Sequence, residues 1–317
     1  MAPAWTSLHV FHRGGTDLLI VGAVGALVRS LETDRLLDGF FFLRYWEGGP
    51  HLRLRLRPVT GADVQERTRS ALEKHLAAHP TTESWDPERY ARAAQSLARA
   101  EDLTDYDRRL RHTDGVEVIP YRPEYAVFGG PEATEAVERH FTDSSRIALA
   151  VLARTGEPER RLGFALVSLM LALTVCDPDH ERITVALPRN RDQWDGDASA
   201  RAGRADAFAR QRAALTAQAT RCRGITADPE AYGLVGAWAR SIITLHREIR
   251  ALQARGRFSP APADSSFHPG PGPSGDVMIL LLRCVHLLCN RLGLSGPQEA
   301  HLRHLTAMTF LHLKENP

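Results

Sequence analysis

Three short stretches hold residues whose types and spacing suit chemistry. The first is His51-Leu52-Arg53-Leu54-Arg55-Leu56-Arg57, in which cationic or titratable side chains alternate strictly with leucine. At the two-residue period of a strand, His51, Arg53, Arg55 and Arg57 share one face and the leucines share the other. Just before it, Phe40-Phe41-Phe42-Leu43-Arg44-Tyr45-Trp46 puts Arg44 on a face with Phe40, Phe42 and Trp46. Like charges in a row repel unless something anionic lies between them, so this hairpin reads as a carboxylate-binding floor. The plainer alternative is a solvated polar face over a leucine core. The second stretch, Arg283-Cys284-Val285-His286-Leu287-Leu288-Cys289-Asn290-Arg291-Leu292, places Arg283, His286 and Asn290 on one face of an otherwise apolar helix. Histidine titrates near neutral pH, so His286 is a candidate general base or acid. The alternative is a core histidine hydrogen-bonded to Asn290. The third stretch, Tyr121 to Gly130, offers Tyr121 and Glu124 at a sheet edge. It ends in Phe128-Gly129-Gly130, a tight turn before Pro131.

The elements that must position these groups follow from pattern. A short strand Leu8–Phe11 is followed by a helix capped by Thr16 and Asp17 and running to about Leu31. Two strands then flank the turn Glu47-Gly48-Gly49-Pro50. Helices are predicted from Thr60 to Ala78 and from Pro87 to Arg111, before a last strand at Val116–Pro120. That order matches a ferredoxin-like unit, apart from the long insertion before the last strand. From Pro131 onward the pattern is helical: Pro131–Arg154, Glu157–Cys176, Ala202–Arg221, Pro229–Ala254, Asp276–Leu292 and Pro297–Lys314. Gly256–Gly275, rich in Pro, Ser and Gly, reads as a mobile loop. The expected class is α+β: a small antiparallel sheet over residues 1–130, then a mainly helical part over 131–317, forming one integrated domain.

Composition narrows the function. The 317 residues carry 40 basic and 38 acidic side chains, a net charge of +2, which is a poor match to an electrostatic nucleic-acid binder. Only Lys74 and Lys314 are lysines. This arginine bias has two readings, coding bias or recognition of planar anions by guanidinium forks. Cys176, Cys222, Cys284 and Cys289 form no CxxC pair and read as reduced core thiols. His286, His301 and His304 lack zinc-ligand spacing, and no Walker loop, GxGxxG or GxSxG is present, so neither metal nor cofactor is expected. No apolar run reaches the roughly 18 residues of a membrane span. Leu162–Cys176 comes closest, and the expected location is the cytoplasm.

Taken together, Trp5, Leu8–Phe11, Phe41 to Tyr45, Gly49 to Arg55, Tyr121 to Gly130, and His286 with Asn290-Arg291-Leu292-Gly293 resemble the thiopeptide-type bacteriocin biosynthesis domain. This is also the C-terminal, glutamate-eliminating domain of class I lantibiotic dehydratases. The resemblance spans nearly the whole chain, and the aromatic-Arg-Tyr plus Pro-His-x-Arg-x-Arg hairpin is its most specific part. One departure stands out: the family often has an arginine just before the aromatic-Gly-Gly, where this chain has Val127.

The resemblance implies work on a ribosomally made precursor peptide with a leader and a core. Glutamate would be expelled from glutamylated Ser or Thr to leave dehydroalanine or dehydrobutyrine. A separate protein would supply the glutamyl-tRNA-dependent glutamylation, because no large glutamylation domain is part of these residues. A second standalone type in the family, the pyridine synthase, joins two dehydroalanines in a formal [4+2] cycloaddition and sheds the leader. A third reading is a non-catalytic scaffold that binds the leader. For elimination, the expected catalytic set is His286 as base, Arg44, Arg53 and Arg55 as donors to developing anions, and Tyr121 as proton donor. Arg291, Asn290, Glu124, His51 and Trp46 are expected to bind substrate. Neither direct nucleic-acid nor membrane contact is expected, and a homodimer stays open. The whole scheme expects the imidazole and the guanidinium row to line a common hollow.

Overall fold

The computed structural model describes residues 5–59, 64–81, 86–100, 103–111, 113–154, 158–178, 198–261 and 273–316. The chain divides into two compact units, Met1–Arg122 and Pro123–Pro317.

In the first unit, the described residues build a four-stranded sheet from β1 (Thr6–Phe11), β2 (Leu37–Tyr45), β3 (His51–Pro58) and β4 (Gly115–Val118), in the order β2-β3-β1-β4. Every neighbouring pair is antiparallel. With helices between β1 and β2 and between β3 and β4, this is the ferredoxin-like topology that the element order predicted. The first crossover starts as a helical turn α1 (Thr16–Leu18), continues as a π-helical segment Leu19–Val24 and ends as α2 (Gly25–Thr33). The second contains α3 (Val64–Ala78) and α4 (Pro87–Ala100). The alternation on β3 works as expected: Leu52, Leu54 and Leu56 are fully buried with Leu8, Val10, Phe40 and Phe42. α2 lies against β2, and α3 against β1 and β4, so the helices cover this leucine face.

The helix expected over Pro87–Arg111 is shorter, because α4 ends at Ala100. Residues 103–111 form an irregular strap instead. The Asp107 carboxylate accepts from the backbone N–H of Arg109 at 2.9 Å, the local bond by which Asp competes with helix. The strap is tied to the β2–β3 turn through Arg111 N–H donating to the Gly48 carbonyl at 2.9 Å and Asp107 N–H donating to Glu47 at 2.9 Å.

The second unit is helical among its described residues. Its elements are α5 (Tyr125–Phe128), α6 (Pro131–Arg154), α7 (Pro158–Cys176), α8 (Ala198–Ala227), a 3-10 turn Pro229–Tyr232, α9 (Gly233–Ala254), α10 (Pro273–Leu292) and α11 (Gly296–Glu315). α10 packs on α6, α7 and α9, and α11 packs on α7 and α8. α11 starts with a capping box, in which the Ser295 hydroxyl accepts from the N–H of Gln298 and the Gln298 side chain accepts from the N–H of Ser295. Of the predicted loop Gly256–Gly275, residues 262–272 lie outside the described residues, and Pro273–Gly275 already belong to α10. No helix among the described residues is long and apolar enough to cross a membrane.

Candidate active site

Strand register decides which groups meet on the sheet. Directly opposed residues in an antiparallel pair point to the same face. His51 pairs with Tyr45 and Phe11, Arg53 with Leu43 and His9, Arg55 with Phe41 and Ser7, and His9 with Glu117. The face away from the leucines therefore carries a layer of rings and guanidiniums. Arg53 lies 3.3 Å from the Tyr45 ring centroid, Arg55 lies 5.7 Å from Tyr121, and Arg57 lies 5.3 Å from Trp5. Trp5, Phe41 and Tyr121 form a mutual edge-on cluster with centroids 5.0–6.1 Å apart. His9 stacks on His51 at 4.8 Å.

The expected repulsion along the arginine row is relieved in two ways. Rings separate the guanidiniums, and carboxylates neutralise them: Arg53 faces Glu47 at 3.5 Å, Arg57 faces Asp38 at 2.7 Å, and Arg111, above the Phe11 ring, pairs with Glu117. Arg55 is buried, donates to the Leu54 carbonyl at 3.3 Å and the Leu8 carbonyl at 3.5 Å, and reaches His9 Nε2 at 3.5 Å. Burial, the neighbouring His51 and the charges of Arg55, Arg53 and Arg111 push the His9 imidazole down to about 3. His51 donates from Nδ1 to the Gly49 carbonyl at 3.0 Å, which leaves Nε2 as the acceptor nitrogen. Its pKa falls to about 4: burial lowers it, the Gly49 bond partly offsets that, and Arg53, Arg111 and Arg55 add to the fall. Both rings are neutral near pH 7.

Arg44 does not belong to this layer. It pairs with Leu52, so it points to the helix-covered face, opposite Arg53 and Arg55. There it donates to Asp17 at 2.5 Å and to the Thr16 hydroxyl, fixing the start of the first crossover. Grouping Arg44 with the other arginines fails because alternation within a strand says nothing about which face of the next strand it matches. Trp46 packs at the hairpin end against Tyr45 at 5.8 Å and against Tyr106 of the strap at 5.4 Å.

In the second unit, α10 is not the buried polar stripe that its apolar composition suggested. The His286 side chain is 55% exposed, and its Nδ1 lies 2.8 Å from Glu299 Oε2 on α11, rather than bonding Asn290. The other oxygen of Glu299 accepts from Arg303 at 2.5 Å. Burial works to raise the Glu299 carboxyl, but the hydrogen bonds and charges of His286 and Arg303 outweigh it and hold it below the usual range. Arg283, on the same helical face as His286, donates to the Val127 carbonyl at 2.6 Å. A guanidinium therefore sits at the turn where the sequence itself has Val127. Glu124 is exposed at the start of α5; burial lowers the Arg283 pKa, a fall that the charge of Glu124 partly offsets. Asn290 is half-buried. Arg291 is fully buried, donates to Ser145 at 3.1 Å and Ser144 at 3.2 Å, and lies over Phe141 at 4.8 Å. At 100° per residue it lies about 140° around α10 from His286, a packing position.

Glu299, Arg303 and His9 were missed by sequence reasoning. The signal for Glu299 was present: Gly293 and the Ser295/Gln298 box reverse the chain within four residues, which sets the first turn of α11 beside the last turns of α10. His9 becomes legible only once β1 is paired with β3.

A family model described as lantibiotic biosynthesis dehydratase C-term matches residues 5–310. The chain belongs to this family. Among solved structures, the chain is similar to the pyridine synthase TbtD from thiomuracin biosynthesis, with TM-score 0.77 and 21% identity over 99% of this chain and 100% of that one. It is also similar to TsrL, with TM-score 0.66 and 20% identity over 98% and 95%. The tRNA-dependent lantibiotic dehydratase MibB from Microbispora sp. 107891 aligns with TM-score 0.57 and 20% identity over 99% of this chain, which spans 28% of MibB. At these identities the three establish the shared fold. No curated protein matches the chain. Membership of the dehydratase C-terminal family places the chain among proteins of lantibiotic biosynthesis.

Proposed function

We propose that the chain is a lyase that expels glutamate from glutamylated Ser or Thr of a ribosomally made precursor peptide. The observation that carries this reading is the exposed imidazole of His286 backed by the buried carboxylate of Glu299, an arrangement suited to taking an acidic proton from an extended peptide. His286 Nε2 takes the α-proton of the esterified residue. The C–H electron pair becomes the new Cα=Cβ bond as the Cβ–O bond breaks. Glutamate leaves as its carboxylate, and His286 returns the proton to water. Negative charge develops on the departing glutamate, the charge that guanidinium donors stabilise. Asn290 and Glu124, in the same unit as His286, contact the peptide in this scheme. Glutamylation is a separate step in this scheme.

The formal [4+2] cycloaddition is the second reading. It is favoured by the end-to-end likeness to TbtD. Two assays separate the readings. With the glutamylating partner, elimination predicts that His286→Ala accumulates the glutamyl ester; unchanged dehydration in that variant refutes it. A thiazole-rich peptide with two dehydroalanines, processed to a macrocycle with leader release, establishes the cyclase instead. A scaffold role requires that an Arg55/His286 double variant keep peptide binding with chemistry unaltered.

A further inference from the structure

We propose that Glu299 is the positioning residue for His286: it fixes the proton on Nδ1 and aims the bare Nε2 outward. The proposal rests on the reading of His286 as a base, and it adds a residue that no motif pointed to. The geometry assigns each carboxylate oxygen one donor, Oε1 to Arg303 and Oε2 to His286 Nδ1. A carboxylate has no hydrogen to give, so Nδ1 must be the donor, and whenever the ring carries a single proton Nε2 is left with its lone pair.

The burial contrast argues that this is more than an interhelical ion pair. Glu299 is 12% exposed while His286 is 55% exposed, so the fixed partner is the carboxylate and the exposed partner is the imidazole. Arg303 already neutralises Glu299 at 2.5 Å, so charge balance alone does not require the histidine. A small cavity beside Glu299 is lined, apart from Arg303, by Ala165 and Leu169 of α7, Leu282, Val285 and Cys289 of α10 and Leu302 of α11, which supply no competing charge: Cys289 is a thiol whose pKa is pushed above its ordinary range by burial and by Glu299 itself. A single strong acceptor in a dry wall selects one tautomer.

The isosteric change Glu299→Gln tests this. A glutamine offers one oxygen and one NH2. With the oxygen held by Arg303, the NH2 faces His286, the ring proton moves to Nε2, and the outward nitrogen loses its lone pair. In the wild-type protein, imidazole nitrogen NMR is expected to show His286 protonated on Nδ1. In Glu299→Gln the signal moves to the Nε2–H form, and kcat falls about 10²-fold with KM within about twofold. Arg303→Met, which removes the other partner of the carboxylate, is expected to leave the tautomer unchanged. It serves as the control for a merely structural role. An Nε2–H wild-type ring, or the same tautomer in both Glu299→Gln and wild type, overturns the positioning role whatever the reaction. A shifted tautomer with unchanged kcat upholds the orientation and overturns His286 as the base, which is the failure of the proposed function instead.

Discussion

Replacing His140 with Asn should remove a defined share of the protein's acid sensitivity. His140 lies on α6, is 2% exposed, and touches Trp238 with ring centroids 5.0 Å apart. Its Nδ1–H donates to Ser241 Oγ at 2.9 Å, and Ser241 donates to Asp143 at 2.8 Å. Burial first, and then the nearby Arg291 charge, drive its pKa from 6.5 down to about 3. The sign follows from linkage. Above pH 6.5 the ring is neutral in folded and unfolded chains and contributes no pH dependence. Below 6.5 the unfolded chain takes the proton and the native state refuses it, so stability falls as pH falls, until about pH 3. At about 1.4 kcal/mol per unit, the loss attributable to this one ring is about 3 kcal/mol by pH 4.5. Asn keeps a donor near the Nδ1 position and cannot be protonated, so it costs a constant few kcal/mol of ring packing but carries no such slope. Urea unfolding of both proteins at pH 7.0 and 4.5, followed by tryptophan fluorescence, reads the difference. His9 and His51 add their own acid sensitivity equally to both proteins and cancel. The stability gap between wild type and variant should close by about 3 kcal/mol on acidification. Parallel pH profiles would refute the neutral buried imidazole.

Three further outcomes follow from the geometry. Arg44→Met removes the clamp on Thr16 and Asp17 and should lower stability by about 1–2 kcal/mol, with kcat of the folded fraction unchanged, as read by thermal unfolding and turnover. Gly129→Ala should cost about 2–4 kcal/mol and clearly more than Gly130→Ala: both have positive φ, but a Cβ at 129 would lie 2.5 Å from the Phe258 ring, whereas at 130 the nearest atom is 3.8 Å away. Arg55→Gln should raise the His9 titration, seen by NMR, because the Arg55 charge is one of the forces holding that ring neutral.

The sequence by itself determined the order of strands and helices along the chain, the leucine face of β3 and most helices of the second unit, because these follow from local periodicity, caps and turn residues. Gly48 and Gly49, both at positive φ, enforce the β2–β3 turn, and Ser295 with Gln298 start α11. It also exposed the chemistry-bearing residues His286, Arg53 and Arg55, since their spacing is a local property. Tertiary structure alone decided their company. Register, set by non-local pairing, sent Arg44 to the opposite face and brought His9 and Tyr121 to the arginines. Packing of α10 made Arg291 a buried scaffold and left His286 at the surface, although an apolar helix does not state which side faces solvent. The pairing of His286 with Glu299 depended on a chain reversal that joins two residues 13 apart, and no periodicity reports a contact across a turn.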